Sequence, residues 1–219
     1  MNGSQLEVWA ASKAAQNKRC HPNLKPVVLY RNDEANGMGA LFTSGGSTVL
    51  LTVGHLFWAE MPLCQWMYRT LKPESNVRLP LLTAEPFSKN PRADVAVCTP
   101  GTMLHTSPLV PNFFYEGTRW GGELTANIRK PGETSKKLTS TISGERLSSV
   151  GEVLYADAPY EALDYASVAG ESGTVFWDEN DEKTLYILKG NSPEVAKHAQ
   201  RKKLCRSGNI TLALRLSIK

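Results

Sequence analysis

Ser172, His55 and Asp94 are the residues whose types and setting could do chemistry together, and that chemistry is acyl transfer. A serine hydroxyl becomes a useful nucleophile when a base within hydrogen-bond reach takes its proton. An imidazole can be that base if a carboxylate holds its other ring nitrogen and stabilises the imidazolium. The oxyanion that forms needs backbone N–H donors already in place. Ser172 sits in Gly170-Glu171-Ser172-Gly173, where the glycines allow a sharp bend with open N–H groups. His55 closes Val49-Leu50-Leu51-Thr52-Val53-Gly54-His55, an apolar strand that reaches a glycine and then presents an imidazole. Asp94 opens Asp94-Val95-Ala96-Val97-Cys98, an acid at the head of a strand, although Asp is disfavoured within strands. Singly, each has a plain structural reading: a hairpin turn, a packed histidine, a turn acid. Their chain order, His then Asp then Ser, is one of the orders in which this geometry occurs. His21, His105 and His198 lie in polar or Pro-flanked segments with no strand leading in.

The elements that must position these residues are short strands. The chain has 219 residues, 41% hydrophobic and 21% charged, with 17 Gly and 13 Pro spread along it. That suits a globular protein with many turns. Strands are expected over 26–30, 37–42, 48–53, 77–82 and 94–98, then over 123–129, 137–142, 151–155, 174–177, 184–188 and 210–218. Ser44-Gly45-Gly46-Ser47 is a hairpin turn. This spacing points to barrels or sandwiches, not βαβ units. The best helix in the second half is 193–201, and residues 5–19 suit a short helix or an arm. No solenoid repeat is present. The expected division is an N-terminal arm or short helix over 1–23, a first barrel over 24–105 carrying His55 and Asp94, a connector over 106–118, and a second barrel over 119–219 carrying Ser172.

Composition narrows the setting. Net charge is +4, with Lys136-Lys137 and Arg201-Lys202-Lys203 the densest positive runs. They admit nucleic acid or an acidic membrane as partners, but neither carries interleaved aromatics, and solvated loops explain them as well. Cys20, Cys64, Cys98 and Cys205 form no CxxC pair and no dense disulfide pattern, so no zinc site is implied and free thiols are expected. Met1 to Cys20 has no apolar run of signal-peptide type, and no stretch has the length of a membrane-spanning helix. The expected location is intracellular, the host cytoplasm if the chain is viral. A domain excised from a polyprotein would show the same features.

The four motifs together resemble the chymotrypsin- and trypsin-like serine peptidases. Leu51-Thr52-Val53-Gly54-His55 is similar to the family's histidine motif, Asp94-Val95-Ala96-Val97 to its aspartate motif, and Gly170-Glu171-Ser172-Gly173 to its nucleophile motif. Gly37-Met38-Gly39-Ala40-Leu41-Phe42 resembles the strand before the histidine hairpin. The resemblance runs from about residue 26 to 218. It implies an all-β fold of two six-stranded antiparallel barrels with the active site in the cleft between them. It also implies Ser172 as nucleophile, His55 as general base and then acid, and Asp94 as the orienting carboxylate. The N–H groups of Gly170 and Ser172 would form the oxyanion hole. Leu188, Lys189 and Gly190 would run beside a bound substrate, and Ala166 and Ser167 would lie near the base of the specificity pocket. The substrate would be a protein or peptide, its own precursor polyprotein included, and no metal or organic cofactor is implied.

The departures are specific. No Cys follows His55, and no Ile/Val-Val-Gly-Gly activation sequence occurs. Glu171 stands where activated digestive enzymes have an Asp paired to a freed N-terminus. These features are closer to the intracellular or viral, polyprotein-processing branch. No acid is evident among the pocket residues, although Asp164 is near enough to keep a basic preference open. Two other classes compete: a peptidase-fold scaffold or nucleic-acid-binding module, and an esterase of another fold. The second has a G-x-S-x-G elbow, whereas position 174 here is Thr.

Overall fold

The computed structural model describes residues 1–57, 64–87, 93–105, 124–155 and 157–217. Helix α1 (Gly3–Gln16) comes first. Six strands follow: β1 (Leu24–Arg31), β2 (Glu34–Ser44), β3 (Ser47–Thr52), β4 (Trp66–Thr70), β5 (Leu79–Pro86) and β6 (Ala96–Pro100). They close in the order β1-β2-β3-β6-β5-β4, with β4 returning to β1 and every pair antiparallel. The second set is β7 (Leu124–Ile128), β8 (Lys137–Ser140), β9 (Arg146–Tyr155), β10 (Ala158–Asp164), β11 (Val175–Asp178), β12 (Asp181–Asn191) and β13 (Ile210–Ser217). Helix α2 (Pro193–Arg201) lies between β12 and β13. Six of these strands form the ring β10-β13-β12-β11-β8-β9, closed by β9 on β10, and β7 adds to β9. The protein is therefore all-β, with two closed six-stranded antiparallel barrels. Closure gives every strand of each ring a neighbour on both sides over part of its length.

Register identifies what fills each barrel, because residues opposite one another share a face. In the first, Leu29 faces Tyr68, Leu50 faces Cys98 and Cys98 faces Ala84, all buried. In the second, one row crosses five strands: Val153, Tyr160, Leu214, Ile187 and Val175. Both rows belong to one apolar cluster.

Strand β1 is apolar on both faces. Val27 and Leu29 fill the barrel, while Val28 and Tyr30 point outward and need a cover. Helix α1 supplies it with Leu6, Ala10 and Ala14, spaced four apart on one stripe. Asn2 and Gln5 start the helix with reciprocal side-chain to backbone bonds of 2.9 Å. The segment expected as a short helix or arm is thus a docked helix, two residues earlier at its start than read from sequence.

Two further corrections concern strands. The strand expected to begin at Asp94 begins at Ala96, and Asp94 precedes it. Strands β4 and β10 are absent from the sequence-based expectation. Each carries a buried charged residue whose partners lie elsewhere in the chain. Arg69 donates from Nε to Tyr30 Oη at 3.0 Å and from Nη1 to Ser75 O at 3.1 Å. Glu161 accepts from Ser149 Oγ at 2.5 Å and lies 3.5 Å from Lys136 Nζ. Local polarity hides such strands. The expected connector, 106–118, lies outside the described residues. No helix among the described residues is long and apolar enough to cross a membrane.

Candidate active site

His55 lies in a single 3-10 turn, Gly54–Phe57, directly after β3. Apolar β3 ends at Thr52, and Val53 is buried behind it, so the imidazole leaves the first barrel with 27% of its side chain exposed. Asp94, 2% exposed, is carried two residues ahead of β6, the neighbour of β3 in the ring. Its Oδ1 accepts the His55 backbone N–H at 2.7 Å, and its Oδ2 is 2.6 Å from His55 Nδ1. A carboxylate at Nδ1 favours the tautomer with the proton there, leaving Nε2 as the basic nitrogen.

Ser172 comes from the second barrel, in the turn before β11. Its carbonyl accepts the Met38 N–H of β2 at 2.9 Å, and the Met38 carbonyl accepts Thr52 Oγ1 at 2.7 Å. This chain of bonds ties the serine to the strands that lead to His55. Gly173 makes the approach possible. At φ +95°, a Cβ there would stand 1.9 Å from Met38 O. The described partner of Ser172 Oγ is Lys189 O, at 3.3 Å. Among the described residues no hydrogen bond joins Ser172 Oγ to His55. So His55 and Asp94 are in direct contact, while the serine hydroxyl donates to Lys189 O.

The loop around Ser172 is two successive turns. Glu171 N–H donates to Val168 O, Gly173 N–H to Leu188 O and Thr174 N–H to Glu171 O, at 3.1, 2.9 and 3.0 Å. The intervening N–H groups of Gly170 and Ser172 donate to no described acceptor. Glu171 is turned inward and buried; its carboxylate accepts Tyr165 Oη at 2.7 and 2.8 Å and Val168 N–H at 2.8 Å. Burial is the main cause that pushes this carboxyl above the usual carboxylate range, with its hydrogen bonds opposing.

The residues expected beside the substrate have distinct positions. Ala166 is exposed. Ser167 is bound to Asn191, whose Oδ1 accepts Ser167 N–H and Oγ–H at 3.2 and 3.0 Å and whose Nδ2 donates to Ser167 O at 3.1 Å. Asp164 instead holds the turn after α2, accepting from Arg206 N, Ser207 N and Ser207 Oγ at 3.1, 3.0 and 2.8 Å. Both its oxygens accept hydrogen bonds from that turn. Leu188 and Lys189 are buried, and Gly190 follows them on β12. The Lys189 side chain is directed away from solvent, with Nζ 3.4 Å from Tyr160 Oη and 3.9 Å from Asp94 Oδ2. The rings of Tyr155 and Tyr160 are 5.2 and 5.5 Å from the ammonium. Sequence reasoning missed this contact. The available signal was strand alternation, which puts residue 189 on the same face as the core residues Leu185 and Ile187.

Two closed barrels, with His55 and Asp94 on one and Ser172 on the other, make the chymotrypsin-like double β-barrel fold. No protein-family model and no curated protein matches this chain. Among solved structures, it is similar to a glutamic acid-specific serine protease that uses a histidine triad in substrate binding. The identity is 16%, with 85% of this chain and 90% of that one covered and a TM-score of 0.43. It is also similar to Deg5, at 11% identity, 85% coverage of each chain and a TM-score of 0.40.

Proposed function

We propose that the protein is a serine endopeptidase in which Ser172 is the nucleophile, His55 the general base and then acid, and Asp94 the carboxylate that holds His55. The observation that carries this reading is the 2.6 Å contact between Asp94 Oδ2 and His55 Nδ1, made by a buried carboxylate that also accepts the His55 backbone N–H. Two bonds from one carboxylate fix both the position and the tautomer of the ring. Ser172 Oγ attacks the substrate carbonyl while Nε2 takes its proton. The oxyanion is met by the N–H groups of Gly170 and Ser172. Nε2 returns the proton to the leaving amine as the C–N bond breaks, and a water repeats the sequence on the acyl-enzyme.

The substrate is a polypeptide, laid along the main chain of β12 near Lys189 and Gly190 by strand addition. Processing of a precursor polyprotein in a reducing intracellular setting is part of this proposal. The free thiols of Cys20, Cys98 and Cys205 and a Glu171 held by Tyr165 and Val168, with no need for a freed N-terminus, support it.

The test is labelling by a fluorophosphonate probe with peptide-library cleavage. Wild type should be labelled and active, and Ser172→Ala should lose labelling and about 10⁶-fold in kcat. Labelling that survives the substitution would overturn the assignment of Ser172. An unlabelled wild type that binds RNA in a salt-dependent way would favour the scaffold alternative.

A further inference from the structure

Helix α1 lies against the nucleophile loop. Gly170 has φ +98°, and a Cβ built on it would stand 2.6 Å from Leu6 Cδ2 and 2.9 Å from Leu6 Cδ1. Leu6 is 2% exposed and shares a cluster with Val28, Tyr30, Ala35 and Met38 of the first barrel. Its branched end is thus held between that barrel and the Gly170 peptide of the other. Further along the helix, Trp9 and Lys13 line a small cavity with Tyr165, Glu171 and Phe176.

Beyond the helix, Asn17 Nδ2 donates to Thr141 O at 3.0 Å and Arg19 Nη1 to Gly144 O at 3.1 Å. Ile142, in the same turn, packs into the Leu6 cluster. Thr141 in turn donates to Val175 O through N–H at 3.0 Å and Oγ1 at 2.7 Å, three residues after Ser172. The helix is itself fastened to the first barrel, where Glu7 accepts Tyr30 Oη at 2.6 Å and lies 3.6 Å from both Arg69 and Arg78.

We propose that α1 is a clasp that sets the oxyanion loop, with Leu6 the positioning residue that keeps the Gly170 N–H available to the developing oxyanion. Glycine populates both signs of φ with similar ease. A loop with Gly at 170 and 173 therefore needs an outside wall to select one orientation of the 169–170 peptide. Leu6 is that wall. Ground-state substrate binding does not use the oxyanion hole, so the helix acts on kcat more than on KM.

This inference rests on the proposed peptidase activity, and the experiment separates the two. Full-length wild type, Leu6→Ala, Leu6→Val and the control Val8→Ala are compared, Val8 being 70% exposed on the same helix. Four quantities are measured: phosphonate labelling, kcat and KM, affinity for a peptidyl aldehyde, and affinity for a cleaved product peptide. The aldehyde forms a tetrahedral adduct that needs the hole; the amine-side product, which carries no carboxylate at the cleaved bond, does not. Leu6→Ala should lower kcat and aldehyde affinity about 10–100-fold, within the 10²–10³-fold that loss of one oxyanion donor costs. Product affinity should stay within about twofold by the same reasoning. Leu6→Val should fall between wild type and Leu6→Ala, and it keeps the test open if the alanine variant does not fold. Val8→Ala should match wild type. An active wild type whose Leu6 variants keep full aldehyde affinity overturns the clasp alone, as does an equal loss of aldehyde and product affinity. A wild type that is neither labelled nor active overturns the peptidase reading itself.

Discussion

The ammonium of Lys189 stands 3.9 Å from Oδ2 of Asp94, with both side chains almost fully buried. The carboxylate that holds His55 therefore also faces a cation from the second barrel. The two barrels meet at this site through charge as well as through the Met38–Ser172 main-chain bond. The carbonyl of the same lysine accepts the Ser172 hydroxyl. One residue of β12 thus touches both the Asp94 carboxylate and the Ser172 hydroxyl.

Burial lowers the Lys189 ammonium below the usual lysine range, and Asp94 opposes that shift. A lysine depressed in the fold binds its proton less tightly than in the unfolded chain. Stability from this group is therefore lowest below its folded pKa and rises with pH towards the unfolded value near 10.5. Lys189→Met has no such slope. The stability of the variant relative to wild type should be most favourable near neutral pH and decline as pH rises to about 10. Urea denaturation of both proteins at several pH values checks this; parallel profiles would contradict it.

Asp94→Asn should keep the fold and cost about 10⁴-fold in kcat, because the amide leaves His55 in the wrong tautomer. The measurement is steady-state kinetics beside a thermal melt. Full activity in the variant would show that Asp94 does not set the imidazole.

Glu171 has the opposite sign to Lys189. Its carboxyl is raised by burial, so the unfolded chain ionises first and stability is lost as pH rises through the folded pKa. Glu171→Gln keeps an oxygen that can accept from Val168 N–H and Tyr165 Oη, without the buried charge. The variant should gain stability relative to wild type as pH rises from about 4.5, then level off. Denaturation midpoints across this range measure it, and a gap that narrows with rising pH would count against it.

At Gly173 a methyl group meets main chain, not a flexible side chain, and the positive φ adds strain. Gly173→Ala should cost about 2–4 kcal/mol and disturb the bond between Met38 N–H and Ser172 O. An unchanged urea midpoint would refute the closeness of that contact.

The thiols should differ sharply in reactivity. Cys20 is exposed, whereas Cys98 faces the interior of the first barrel and burial pushes its thiol far up. Under native conditions iodoacetamide should label Cys20 quickly and Cys98 only after unfolding. Peptide mapping of the alkylated protein decides the outcome.

By itself the sequence determined the all-β class, most strand positions, the 193–201 helix and the order in which the three candidate residues arrive. Those features depend on local rules: period-two alternation, Gly- and Pro-marked turns, and motifs a few residues long. Strands β4 and β10 escaped because Arg69 and Glu161 break the apolar pattern locally, and only their partners on distant segments make burial affordable. The rest was decided by tertiary structure. Ring closure brings β3 beside β6, which sets Asp94 against His55. Lys189 shares the strand parity of Leu185 and Ile187, but only the meeting of the two barrels sets Asp94 against its ammonium. The two-faced apolar strand β1 announced that something must cover Val28 and Tyr30, but not that the cover would be α1, nor that Leu6 would reach Gly170. Contacts between segments so far apart depend on the summed geometry of two closed barrels, which no local pattern encodes.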